Sequence, residues 1–194
     1  MVKYSREGAV FMELPKIKIL DEKNKVLRKV SKEVTFPLDE VDRKNIEDML
    51  NYLKMSQIEE YSNKYDLRPG MGLSYVQIGV LKRIFVIVDE YEPGKFQNYI
   101  VINPKIKSQS EELIYVGEGE GCLSINRPVE GIVPRHARMT VEAQDMDGNK
   151  TSIRVREELA VAFQHEIDHL NGILFIDHID PRDPYKNQEN MREI

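Results

Sequence analysis

The stretch His165-Glu166-Ile167-Asp168-His169 constrains this chain more than any other. On a helix, residues four apart sit one turn above each other on the same face. Two imidazoles at that spacing can grip one metal ion, and the acid after the first can reach a water on that ion. Two of the four histidines of the chain fall here. A hydrolytic metal site is therefore the first hypothesis. Its competitor is a pair of ordinary helix residues whose spacing is accidental, which a short motif alone does not exclude.

The rest of the chain suits a soluble enzyme. Its 194 residues fit one domain, expected over residues 1–180 with a polar tail at 181–194. Hydrophobic residues make up 41% and charged ones 31%, enough to bury a core. A net charge of −5 gives no case for tracking nucleic-acid phosphates, which takes clustered Lys and Arg. The start, Met1 to Gly8, has no apolar run of the signal-peptide kind, and no segment is long and apolar enough to span a membrane. A cytoplasmic monomer without a membrane or direct nucleic-acid partner is expected. The lone cysteine, Cys122, cannot close an internal disulfide.

Patterning predicts an α+β fold, with mixed and antiparallel sheets packed around a central C-terminal helix that carries the histidines. One N-terminal helix is expected near residues 40–62, capped by Asp39 or Asp42, with Val41, Ile46, Met49, Leu50, Leu53 and Ile58 at helical spacing. Before it, residues 1–37 read as irregular, with Ile17 to Leu20 as a strand or extended arm. Apolar runs at Arg83 to Val88, Tyr99 to Pro104 and Leu113 to Val116 read as strands. Residues 138–156 read as a hairpin turning at Asp147-Gly148. The last helix starts near Arg156 or Glu157, and Gly172 sits where a C-terminal cap belongs.

A catalytic metal needs three protein ligands and an open position. The metzincin pattern would put a third histidine six residues after His169, but Phe175 stands there. Asp177, Asp180 and Glu189 lie downstream without a helical context, and His136 and His178 sit in charged, surface-like surroundings. Cys122 is the better candidate. It is the only thiolate donor, in the glycine-rich loop Gly117 to Ser124, and a thiolate with two imidazoles suits zinc or iron.

Three runs then occur in order: Gly70-Met71-Gly72-Leu73-Ser74-Tyr75-Val76-Gln77, Glu120-Gly121-Cys122-Leu123-Ser124 and Gln164-His165-Glu166-Ile167-Asp168-His169-Leu170. Together they resemble the three motifs of peptide deformylases, and the long glycine-rich cysteine loop and short polar tail resemble the Gram-positive type. One departure stands out: Ser74 and Tyr75 replace two alanines. The resemblance implies a metal-dependent hydrolase that removes the formyl group from the N-terminal formyl-methionine of newly made polypeptides.

It further implies one divalent metal on Cys122, His165 and His169. Fe(II) is the implied metal in the cell, with zinc or nickel as substitutes in purified protein. The implied attack is by metal-bound hydroxide, with Glu166 as general acid and base and the Leu123 N–H and Gln77 amide on the oxyanion. The backbone at Gly70, Met71 and Gly72 is a candidate edge for pairing with an extended peptide. Met71, Val161 and Ala162 are candidates for the wall of the methionine pocket. Glu120 is expected to orient its loop by pairing with a base such as Arg135. Glu158, one turn before Ala162, has no account from the sequence. Transient ribosome contact follows from the substrate class. Two rivals remain at this point: an inactive deformylase-like paralogue, and a zinc metallopeptidase that cuts internal bonds.

Overall fold

An apolar run of five, Ile84 to Val88, lacks the alternation of a half-solvated strand because both faces of its sheet are covered. The computed structural model describes residues 3–4, 10–11 and 13–194. Strands β1 (Lys3–Tyr4) and β2 (Val10–Phe11) pair antiparallel. Helices α1 (Glu40–Gln57) and α2 (Glu59–Tyr65) follow. Next come β3 (Gly72–Ser74), β4 (Ile84–Glu92), β5 (Lys95–Gln109) and β6 (Leu113–Tyr115). After them lie β7 (Arg135–His136), β8 (Arg138–Gln144), β9 (Lys150–Arg156), helix α3 (Glu157–Leu170) and β10 (Arg192–Glu193).

The five-stranded sheet runs in the order β3-β4-β5-β8-β9 with antiparallel neighbours throughout. A three-stranded sheet runs β10-β6-β7. The fold is α+β, as the pattern predicts. Alternate residues of β4 go to opposite layers. Ile84, Val86 and Val88 pack with Ile46, Met49 and Leu53 of α1, whereas Phe85 and Ile87 pack with Ala160, Phe163, Ile167 and Leu170 of α3. The Phe163 ring stands edge-on to Phe85, its centroid 5.3 Å away. The sheet is thus a wall with α3 on one side, which fixes the face that the helix turns away from the wall.

The N-terminal helix differs in detail from the expectation. Asp39 caps α1 by accepting the Asp42 N–H at 2.7 Å. Val41 is 67% exposed, and Asp42 takes the buried place with its carboxylate 2.5 Å from Lys82 Nζ. Helical geometry stops at Ile58, whose backbone is extended (φ −92°, ψ 116°). The turn before that break is tied to the sheet: Gln57 Nε2 donates to Gly70 O and Val88 O, each at 2.9 Å. The predicted run to residue 62 therefore falls into α1 and a separate short α2.

Residues 14–20 belong to no helix or strand, and Leu20 N–H donates to Gln77 O at 2.8 Å. Most of the Met1 to Gly8 start lies outside the described residues. The tail is not loosely packed, as its polarity suggested. Its last residues form β10, parallel to β6, with Ile194 N–H donating to Tyr115 O at 3.0 Å and Gly117 N–H to Ile194 O at 3.1 Å. Among the described residues, no helix is long and apolar enough to cross a membrane.

Candidate metal centre

Helix α3 separates its apolar from its polar residues. Ala160, Phe163, Ile167 and Leu170 take the sheet side, so His165, Glu166 and His169 gather on the remaining face, all three buried. The helix ends by a tight turn at Gly172, whose φ of +75° suits glycine. A Cβ at Gly172 would also come within 2.7 Å of Arg28 O, so the turn needs glycine for space as well.

The cysteine loop comes to the helix from the other side. Cys122 Sγ lies 3.3 Å from His169 Nε2, and ligand atoms of Cys122, His165 and His169 all lie within 4.8 Å of one another. The loop is held by hydrogen bonds. The Arg68 guanidinium donates to Ile125 O at 2.9 Å and to Cys122 O, and Ser124 N–H points to Cys122 Sγ at 3.4 Å. His165 Nδ1 meets Glu120 Oε2 at 2.9 Å, which leaves Nε2 for the centre.

Glu120 pairs with Arg135, as expected from the sequence: Nε to Oε1 is 2.6 Å and Nη2 to Oε2 is 2.9 Å. Arg135 continues to Asp168 Oδ2 at 2.6 Å, and Asp168 to His178 Nε2 at 2.7 Å. One buried guanidinium therefore joins the cysteine loop, β7 and α3. Burial alone would raise the Glu120 carboxyl, but Arg135 and His165 outweigh it and hold it down to about 2. Glu166 goes the other way. Burial raises it to about 7 against the opposing pull of His165, Ser74 and Arg135. A general base poised near neutrality is suited to taking a proton and returning it. Burial keeps His169 well below the usual imidazole range, reinforced by His165 and Arg135, and so in the neutral form that binds metals.

These donors fit a divalent cation. Two imidazoles and one thiol converge, two of the three with protein partners that aim them. The downstream alternatives are engaged elsewhere. Asp177 pairs with Arg28 and accepts the Leu174 N–H, Asp180 pairs with Lys186, and Glu189 accepts from Asn190. His136 Nδ1 is bonded to Ser110 O at 2.6 Å and His178 to Asp168, so neither joins the cluster.

The cluster opens on a cavity of about 630 Å³ whose lining includes Gly70, Met71, Gly72, Gln77, Glu120, Cys122, Leu123, Val161, Ala162, His165 and Glu166. Glu158, unexplained by the sequence, lines it as well and is solvent-exposed. Tyr75 does not line it. Its ring is fully buried in the α1 layer, and its hydroxyl donates to Asp42 O at 2.7 Å.

Strand β3 is an edge of the large sheet. Val88 N–H donates to Met71 O at 2.9 Å, so alternation directs the backbone groups of Gly72 away from β4, to the open side. Gly70 is a correction to the expected edge. Its N–H goes to Ser56 Oγ at 3.2 Å and its carbonyl to Gln57, so it shapes the cavity without a free backbone group. Gln77 is oriented from both ends: Oε1 accepts the Ser74 N–H at 2.8 Å, and Nε2 lies 3.1 Å from Ser124 Oγ and 3.7 Å from Cys122 Sγ. Two participants escaped the sequence reading. Arg68 stands before the first motif with no signal of its own, and Ser74 showed only as a departure from a pattern.

The family model described as polypeptide deformylase matches residues 16–185. A peptide deformylase of Oceanobacillus iheyensis is 47% identical over 161 residues, covering 83% of this chain and 88% of the relative. One from Macrococcus caseolyticus is 47% identical over 174 residues, covering 89% and 94%. Among solved structures, a plant peptide deformylase superposes with a TM-score of 0.72 at 30% identity, covering 94% of this chain and 90% of that one. The peptide deformylase of Thermotoga maritima gives 0.67 at 34% identity, covering 85% and 98%.

Proposed function

Because the chain belongs to the polypeptide deformylase family, we propose that it removes the formyl group from the N-terminal formyl-methionine of newly made polypeptides. One observation carries the reading: the Cys122, His165 and His169 donors converge beside Glu166 in a cavity bordered by the open backbone of Gly72. A divalent cation held by these three side chains would supply Lewis acidity, making a water more acidic and polarising the formyl carbonyl.

The chain's own residues do the rest. Glu166 takes the proton of the attacking water and returns it to the leaving amine. The Gln77 amide, fixed by the Ser74 N–H, and the Leu123 N–H stabilise the oxyanion. Among the described residues no intrachain acceptor takes the Leu123 N–H, which leaves it free for that role. Gly72 pairs with the extended peptide by strand addition, and Met71, Val161 and Ala162 wall the methionine pocket. The family resemblance implies Fe(II) in the cell, with zinc or nickel as substitutes in purified protein, and the ligand set admits all three. All three donors come from one chain, which suits a monomer working in the cytoplasm, in transient contact with ribosomes that present its substrate.

The test is formate release from a formyl-Met peptide by metal-loaded protein. Glu166→Ala should keep its metal and lose turnover by about a hundredfold or more. Cys122→Ser should carry less metal per chain. Cleavage of internal peptide bonds without deformylation would establish the metallopeptidase reading instead, and a metal-loaded chain without turnover would be the inactive paralogue.

A further inference from the structure

Ser74 occupies the position of the first of the two alanines in the motif that Gly70 to Gln77 resembles. It is fully buried between β3 and α3, with its hydroxyl 2.7 Å from Glu166 Oε2 and 3.0 Å from Glu166 O. A hydroxyl has one proton to donate, and both acceptors belong to the same residue. The shorter contact, to Oε2, ties the Glu166 side chain to one rotamer.

The opposite side of that carboxylate is also confined. A Cβ built on Gly72 would lie 2.4 Å from Glu166 Oε1, so the carboxylate sits in a slot between the Ser74 hydroxyl and the bare Cα of Gly72. The same serine donates its backbone N–H to Gln77 Oε1 at 2.8 Å, which turns the Gln77 amide nitrogen towards Cys122 and Ser124. A single residue therefore touches both the proton-transferring and the oxyanion-binding side chains.

We propose that Ser74 is a positioning residue in this enzyme: its hydroxyl holds Glu166 Oε2 and so fixes the carboxylate that exchanges the proton. With alanine at this position, the donor at Oε2 is gone and the carboxylate has a second rotational freedom inside its slot. Tyr75, the other departure, has no part in this, because it anchors to α1 away from the cavity. The proposal rests on the deformylase reading for its catalytic consequence, but the Ser74–Glu166 contact stands apart from it.

Two measurements test it. In steady-state kinetics on a formyl-Met peptide, Ser74→Ala should lower kcat about tenfold, as loss of a hydrogen bond to a charged group does, with KM and metal per chain within about twofold of the parent. An unchanged kcat, or a loss confined to KM, overturns the proposal. In thermal unfolding of the metal-free protein, Ser74→Ala should lower Tm by about 3 °C in the parent and by less than about 1 °C in a Glu166→Ala chain. Equal shifts in both backgrounds overturn it. Coupling in unfolding from a parent that turns over no formyl-Met peptide supports the contact and sinks the deformylase reading instead.

Discussion

A carboxylate enclosed as fully as Glu120 is normally driven towards its neutral form. Here the Arg135 guanidinium, itself buried, reverses that sign and takes Glu120 down to about 2. The consequence for stability follows by linkage. The folded value lies below the unfolded value of 4.5, so the folded protein holds fewer protons in between. This contribution is fully present above pH 4.5 and is lost as pH falls from there towards 2. Urea midpoints measured across that window should decline in the parent, and Glu120→Gln should show a shallower decline. An identical slope would mean that the pair does not titrate with unfolding. Residues of this kind were partly legible in the sequence. Cys122 could be found because it is the only thiolate donor, and Arg135 as a base that could pair with Glu120 and so orient its loop. The Ser74 hydroxyl could not, since nothing in the local pattern says which side chain meets it from 92 positions away.

At the scale of elements, periodicity read α3 and the hairpin of β8 and β9 correctly, because each is specified by its own residues. The break at Ile58 was not legible, since the side chain of Gln57, the last residue of α1, is tied to Gly70 and Val88 further along the chain. The tail was misread for a related reason: its polar residues find partners far away in sequence. Arg192 holds Glu157 through two contacts of 2.9 Å, and Glu193 Oε2 accepts from the Tyr115 hydroxyl at 2.8 Å. Glu157 needs the help. It opens α3 with a φ of +54°, and the Arg156 cap before it has no side-chain hydrogen bond. Removing residues 191–194 should therefore cost about 1–2 kcal/mol and lower Tm by about 5 °C. A truncated chain that melts with the parent would show that β10 adds nothing to the fold.

For the molecule as a whole, one wall of antiparallel strands separates two apolar layers, one under α1 and one under α3. The metal centre lies between α3, the β3 edge of this wall and the cysteine loop, and its geometry is set by buried polar contacts. Arg68 holds the cysteine loop, Glu120 aims His165, and Arg135 joins loop to helix. Treatment with a chelator should abolish turnover, leave the far-UV circular dichroism unchanged, and lower Tm only by the stabilisation that binding to the folded state confers. Small zinc domains, which unfold when stripped of metal, set the contrary outcome. Loss of secondary structure on chelation would show that the cation is needed to assemble the loop.

The Arg135 bridge has a consequence for traffic in and out of the site. A receptacle kept rigid by its own walls need not melt to release one ion or gather itself to receive the next. Exchange would then be a substitution at a finished seat, with loop and helix already joined. Which ion would sit there follows the supply around the protein and the preferences of sulfur and nitrogen.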